Sequence, residues 1–208
     1  MPKLTPQAME RRARQIEDGA LPLFRERGFH GVGLREIAAQ VGISAANVYN
    51  YFPGKEEIFA SVLARLYTAF CSPTEPLGQY LAQSRFPTDL EALGMAVEAM
   101  VERHRDYLCL VYVDVAELGG RHARAHYADL AGRFGALLSG RFSALRGAAG
   151  NAAEVDPAVA FSLSYMAFFN YFIVERLIGA RGHLGVGDAE ATRLIAEFLR
   201  RGTGSSVP

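Results

Sequence analysis

The chain has 208 residues, half of them apolar, with 22 basic and 22 acidic side chains. That is enough chain for one substantial core or two small domains, and the balance excludes a disordered or polybasic protein. Zero net charge does not exclude nucleic acid, because binding depends on where the charges sit.

Sustained period-2 alternation is absent and no two strand-like runs are joined by an Asn-Gly or Asp-Gly hairpin turn, whereas helix signals recur, so the expected fold is all-α with about nine helices. Residues 1–20 mix Lys3, Arg11, Arg12 and Arg14 with Glu10, Glu17 and Asp18 and hold no apolar run, so no export signal is read. Thr5-Pro6 reads as an N-cap followed by proline in the first turn, with Ile16, Ala20, Leu23 and Phe24 as the apolar stripe and Gly28 as the stop. From Leu34 to Gln40, the residues Leu34, Ile37, Ala38 and Val41 share one face. Gly42 then supplies a turn, and Ser44 caps a second short helix from Ala45 to about Tyr51, anchored by Val48 and ended by Pro53-Gly54. Two helices joined by so short a glycine-containing turn make a helix-turn-helix, and Ala38 suits their close crossing.

Breaks are expected at 71–76, 84–87, 119–120, 147–151 and 182–187. Cys71 and Cys109 are widely spaced, which disfavours a disulfide framework or zinc ribbon and suits a reducing compartment. Thr88 with Glu91 fits a capping box ahead of Leu90, Leu93, Val97 and Met100. Asp156-Pro157 opens a further helix with Gly182 just past its end, and Asp188 caps the last, which finishes on Arg200 and Arg201. The stretch Ala158 to Val174 spans 17 residues and contains Ser162, Ser164 and Asn170. A bilayer needs about 20 mostly apolar residues, so this stretch reads as a buried helix of a soluble protein with no membrane partner. Residues 203–208 read as a disordered tail.

The segment 28–59, GFHGVGLREIAAQVGISAANVYNYFPGKEEIF, resembles the DNA-binding half of the TetR family of transcriptional regulators. The pieces that carry the resemblance are Gly28-Phe29, Arg35-Glu36-Ile37-Ala38, Val41-Gly42-Ile43-Ser44, Val48-Tyr49, Tyr51-Phe52 and Lys55, within a match over roughly residues 8–60. The resemblance implies a three-helix DNA-binding domain over 1–55 and a helical effector-binding and dimerisation domain over 56–202. Two positions depart from the family pattern. Val32 and Gly33 stand where Thr or Ser is common, so a hydroxyl contact to phosphate is lost although Gly33 still serves as a cap. Ala45-Ala46 follows the capping serine where a basic residue is frequent, which makes base readout more apolar.

In a helix-turn-helix the second helix enters the major groove with its N-terminal residues at base edges. Ala45, Ala46, Asn47 and Asn50 are the candidates, alanine for a thymine methyl and asparagine for adenine, with Asn47 the chosen base reader and a backbone cap or phosphate contact its alternative role. Gly33 and Ser44 are also expected in the DNA-binding set; the resemblance implies phosphate contacts for Tyr49 and Tyr51, with one ring alternatively in the core, and Lys55 is expected at phosphate; Arg35 and the cluster Arg11, Arg12, Arg14 are either backbone contacts or a solvated face. Residues 1–55 hold eight Lys+Arg (3, 11, 12, 14, 25, 27, 35, 55) and five acids (10, 17, 18, 26, 36), a surplus of three positive charges in a neutral chain.

One reading head covers too little duplex for genomic specificity, so a homodimer on a palindromic operator is expected. Phe161, Tyr165, Phe168 and Phe172 form one stripe of the helix from Pro157, and Leu163, Ala167, Asn170, Val174 and Leu177 another, so that helix needs two partners. Phe161, Asn170, Phe172, Val174, Leu177, Leu194 and Phe198 are the expected dimer residues. Met95, Met100, Tyr107, Tyr112, Phe134, Tyr165 and Phe168 are candidates for a pocket that takes a small hydrophobic or aromatic effector, each of them also an ordinary core residue. His122 and His126 have i,i+4 spacing but no evident third ligand, so neither metal nor other cofactor is expected. No Walker loop, HExxH or GxSxG occurs, which argues against an enzyme. The expected function is a cytoplasmic, ligand-released regulator, most simply a repressor; the alternative is a DNA-bound interaction protein without an effector.

Overall fold

The computed structural model describes residues 5–133 and 156–202. Every regular element among them is helical: α1 (Pro6–Arg27), α2 (Leu34–Gln40), α3 (Ala45–Val48), α4 (Lys55–Phe70), α5 (Pro76–Gln83), α6 (Leu90–Arg103), α7 (Arg105–Leu118), α8 (123–133), α9 (Pro157–Phe172) and α10 (Asp188–Gly202). The fold is all-α, with one helix more than expected. The additional break is at His104, whose N–H still reaches the Met100 carbonyl at 3.0 Å while its backbone leaves helical geometry. No glycine or proline marks that break. Phe134, the break at 147–151 and the tail at 203–208 lie outside the described residues.

The chain forms two compact units. One holds residues 5–70 and 106–127; the other, among the described residues, holds 71–105, 128–133 and 156–202. The functional division expected at residue 56 is therefore not a division of compactness, because the second half of the chain lends most of α7 to the first unit.

Local chemistry accounts for most of the ends. Thr5 Oγ1 accepts the Ala8 N–H at 3.3 Å with Pro6 in the first turn, and Ile16, Ala20 and Phe24 are fully buried. The Asp156 carboxylate accepts the Ala158 and Val159 amides. Three expected ends differ. Asp89, not Thr88, precedes α6, and its carboxylate is occupied by the Arg85 N–H at 2.7 Å and the Tyr80 hydroxyl at 3.0 Å. Thr88 Oγ1 donates instead to the Arg85 carbonyl, so no capping box forms. α9 continues as a wider π-helical turn, Ile173–Ile178, which stops at Gly179 rather than Gly182. Asp188 is the first residue of α10 rather than its cap, and its carboxylate takes the Tyr171 hydroxyl and the Arg176 guanidinium.

In the second unit α6 packs on α9 and α10. Phe161, Phe168 and Phe172 fill its interior, and Gly94 of α6 lets the helices approach: a Cβ there would sit 2.7 Å from Thr192 Cγ2 and 2.8 Å from Phe168 Cε1. Ala158–Ile178 is long and apolar enough to cross a membrane by length and composition alone. Its final turns bury Glu175 and Arg176, the latter bonded to Glu98, Glu102 and Asp188, an arrangement of charges suited to protein packing rather than lipid.

Gly94→Val is expected to overpack the α6–α9–α10 junction and cost about 1–3 kcal/mol. Urea unfolding checks it, with a lower midpoint at unchanged slope.

Candidate nucleic-acid interface

The core of the first unit is aromatic. Phe24 of α1, Phe59 of α4 and Phe29 from the intervening loop pack with ring centroids 5.2, 5.5 and 6.0 Å apart. Offset and edge-on contacts of this kind exceed simple area burial. α2 lies on this core through Ile37 and Ala38, and α3 through Val48. The crossing of α1 with α2 is set by Gly19, where a Cβ would come within 2.3 Å of Val41 Cγ1. That close approach was not evident from spacing, whereas Ala38 is buried as expected.

Between α2 and α3 the chain reverses at Gly42 with φ +69, a left-handed conformation that a side chain would strain. Ile43 N–H returns to the Ala38 carbonyl at 3.0 Å. Ser44 Oγ then accepts the Asn47 N–H at 3.2 Å and starts α3. α3 is shorter than the expected Ala45 to Tyr51: regular helix ends at Val48, and Tyr51 and Phe52 are held by turn bonds to the Val48 carbonyl.

The loop 28–33 has neither helix nor strand to satisfy its backbone, so side chains do it. Lys55 Nζ donates to the carbonyls of Phe29 and Val32, each at 2.8 Å, and lies 4.3 Å from the Phe29 ring centroid. Arg27 donates to the Gly31 carbonyl and pairs with Glu36. Glu36 Oε2 accepts the Gly33 N–H at 2.8 Å, which is half of a capping box; glycine has no hydroxyl to make the other half. The Arg27 hydrogen bond, aided by that N–H, holds the Glu36 carboxyl below its ordinary range. The clamp is thus complete at neutral pH and is lost only as pH falls through that lowered value. Glu117 of α7 accepts the His30 N–H at 2.6 Å.

The expected contact residues are now placed. Gly33, Arg35, Ser44, Ala46, Asn47, Tyr49 and Asn50 are exposed, Tyr49 by 61% of its surface, while Ala45, Tyr51 and Lys55 are half-buried. Lys55 differs from expectation: its ammonium is taken by two loop carbonyls, not directed to a ligand. Val32 is buried, so apolar packing explains its departure from the hydroxyl pattern. Ion pairing sorts the arginines. Arg25 pairs with Asp106, Arg27 with Glu36, and Arg65 with Glu17 and Asp18. Within residues 5–70, Arg11, Arg12, Arg14 and Arg35 have no ion-pair partner among the described residues, and Arg124 of the same unit has none either.

The other candidates fall in both units. Tyr107 and Tyr112 belong to the first unit, whereas Met95, Met100, Tyr165 and Phe168 belong to the second. Met100, Tyr107 and Phe168 are buried, Tyr107 against the rings of Tyr67 and Phe70, and Met95 and Tyr112 are exposed. Tyr165 is half-buried and stacks on Phe169. Among the expected dimer residues, Phe161 and Phe172 are buried in their own unit because they share the stripe that faces α6; they are not available to a second copy. Val174 and Leu177 are half-buried, and Asn170, Leu194 and Phe198 are exposed, the last by 78%. His122 Nδ1 lies 2.8 Å from Asp114 Oδ1, and the His126 ring stacks on Tyr67. No group of three metal-ligating side chains occurs among the described residues.

Residues 16–62 match the family model described as bacterial regulatory proteins, tetR family. The HTH-type transcriptional regulator RutR of Escherichia coli K12 is 30% identical over 100 residues, which cover 48% of this chain and 44% of RutR. The matched stretch thus spans about half the length of the curated relatives. A transcriptional regulator from Streptomyces coelicolor superposes with TM-score 0.61 at 21% identity, over 93% of this chain and 98% of that one. A TetR-like transcriptional regulator from Rhodococcus sp. RHA1 does so with TM-score 0.60 at 22% identity, over 98% and 100%. These superpositions establish the fold.

Lys55→Met is expected to release both loop carbonyls and lower stability by about 1–3 kcal/mol. Chemical denaturation checks this; an unchanged midpoint would return Lys55 to the surface role expected from sequence.

Proposed function

We propose that this chain, which belongs to the TetR family through residues 16–62, binds double-stranded DNA as a cytoplasmic homodimer and represses transcription until a small hydrophobic effector releases it. The observation that carries the DNA reading is the exposed edge of α3. Ala46 and Asn47 on α3, which Ser44 caps, and Tyr49 and Asn50 just past its end face solvent, in a unit where Arg11, Arg12, Arg14 and Arg35 carry no ion pair among the described residues. Asn47 is the base reader, able to pair with adenine through both atoms of its amide. Tyr49, Tyr51, Arg35 and the Arg11–Arg14 turn serve phosphates, and the backbone at Gly33 and Ser44 lies against the same strand.

The dimer reading rests on a face of α9 and α10. Val159, Leu163 and Met166 are at least half exposed, and Asn170 continues their row at helical spacing. Leu194 and Phe198 add a second exposed apolar row on α10. An apolar stripe left in water on a helix whose other side is already buried calls for a partner, and a self-complementary two-fold contact is the simplest one. Two reading heads related by that axis fit a palindrome with half-sites about one helical turn or more apart.

Release requires that the effector bind the DNA-incompetent conformation more tightly, since equal affinity for both conformations shifts nothing. A second reading, a DNA-bound interaction protein without an effector, is favoured by the burial of Met100, Tyr107 and Phe168, which fill their units rather than leaving apolar surface for a ligand.

Selection of duplexes from a randomised library tests the function, with a palindromic consensus expected and recovery of no sequence contradicting it. On the selected duplex, Asn47→Ala is expected to relax preference at one base position by about 1–3 kcal/mol while leaving the salt dependence unchanged. Phe198→Glu is expected to raise the dimer dissociation constant by about 100-fold or more, because the two-fold axis counts the loss twice. Sedimentation against protein concentration checks it.

A further inference from the structure

We infer that Glu117 of α7, which lies outside the helix-turn-helix and outside the residues of the family match, is a positioning residue for DNA binding. The inference rests on the DNA-binding reading above. Of the side chains that hold loop 28–33, Arg27, Glu36 and Lys55 come from the reading head itself, and Glu117 is supplied from the second half of the chain. Its Oε2 accepts the His30 N–H at 2.6 Å, and its backbone oxygen lies 3.2 Å from His30 Nε2. The approach is so close that a Cβ at residue 28 would fall 2.0 Å from Glu117 Oε1. Gly28, at φ +72, is thus demanded twice, by its backbone conformation and by this carboxylate.

The corner that carries Glu117 is built to hold still. Asp114 is fully buried, and its Oδ2 accepts the amides of His122 and Ala123 at 3.1 and 2.8 Å while Oδ1 faces His122 Nδ1. The His122 ring in turn lies 6.0 Å from that of Phe59 in the head core. On either side of Glu117, Asp106 bonds Arg25 of α1 and Arg121 bonds Glu56 of α4. Exposed contacts such as these add little to global stability. Their effect is geometric: a charge-assisted hydrogen bond fixes the direction of one loop amide, and a recognition element works only when the shell behind it holds it in place.

Charge and position predict opposite signs, which makes the inference testable. If Glu117 mattered only as a negative charge, removing it would tighten binding to a polyanion. The probe is a duplex of about 30 base pairs recovered by the wild-type chain from a randomised library, long enough for two half-sites. With the full-length protein, Glu117→Ala is expected to weaken binding about tenfold or more at unchanged salt slope, with the urea midpoint nearly unmoved. Glu117→Gln, which keeps an acceptor for the His30 amide, is expected to stay within about threefold of wild type. Glu117→Asp keeps the charge but draws the carboxylate back by one methylene, and is expected to lose affinity as alanine does. This variant decides the matter should Glu117→Ala fail to fold. Wild-type affinity in the aspartate variant, or tighter binding by the alanine variant, would overturn the inference. A wild-type chain that recovers no duplex would instead overturn the DNA-binding reading on which it stands.

Discussion

The ammonium of Lys55 sits over the Phe29 ring and donates to two carbonyls of a loop that has no secondary structure of its own. A loop of that kind between two helices exposes backbone groups that must find partners, and the head is organised around supplying them. Lys55 takes the carbonyls of Phe29 and Val32, Arg27 that of Gly31, Glu36 the amide of Gly33 and Glu117 the amide of His30. With the loop fixed, Phe29 is locked between Phe24 and Phe59, and α2 leaves at a defined angle. α3 has only one buried anchor, Val48, so its placement depends on α2 and thus on the loop. Around that single anchor Ala46 and Asn47 remain exposed.

Much of the fold was legible because it rests on local chemistry. Thr5-Pro6, Gly28, Gly42 and Ser44 each mark a boundary through a bond or a backbone conformation that reaches no further than five residues. The stripe of Phe161, Phe168 and Phe172 is likewise a matter of helical period, although period alone did not say which of the two stripes on α9 faces inward. The misreadings share one cause. Thr88, Asp188 and Gly182 all carry the right residue type for a helix end, yet at each place another partner wins: Asp89 holds the preceding turn, Arg176 claims Asp188, and a π-helical turn ends at Gly179. Lys55 reads from sequence as a phosphate contact for the same reason, since its carbonyl partners lie 26 and 23 residues away. Glu117 is 87 residues from the amide it accepts, and no spacing rule reaches that far.

The same competition sorts charge into structural and available sets. A surplus of positive charge over residues 1–55 is a weak sign of phosphate binding. The ion pairs sharpen it, because they consume Arg25, Arg27 and Arg65 and leave Arg11, Arg12, Arg14 and Arg35. In the second unit the sorting is between buried and exposed apolar side chains. Met100 and Phe168 are committed to the interior, whereas Val159, Leu163 and Met166 of α9 and Leu194 and Phe198 of α10 are exposed. Among the described residues, the first unit thus keeps unpaired arginines and the second keeps exposed apolar side chains on α9 and α10.

On the proposed function, the edge of α3 enters the major groove at two sites related by symmetry. Methylation interference on a selected duplex tests it most directly, since guanine N7 lies in the major groove and adenine N3 in the minor. The account predicts two clusters of interfering guanines, mirrored about the centre of the site and separated by about one helical turn or a multiple of it. A single cluster, or interference confined to adenine N3, would contradict it.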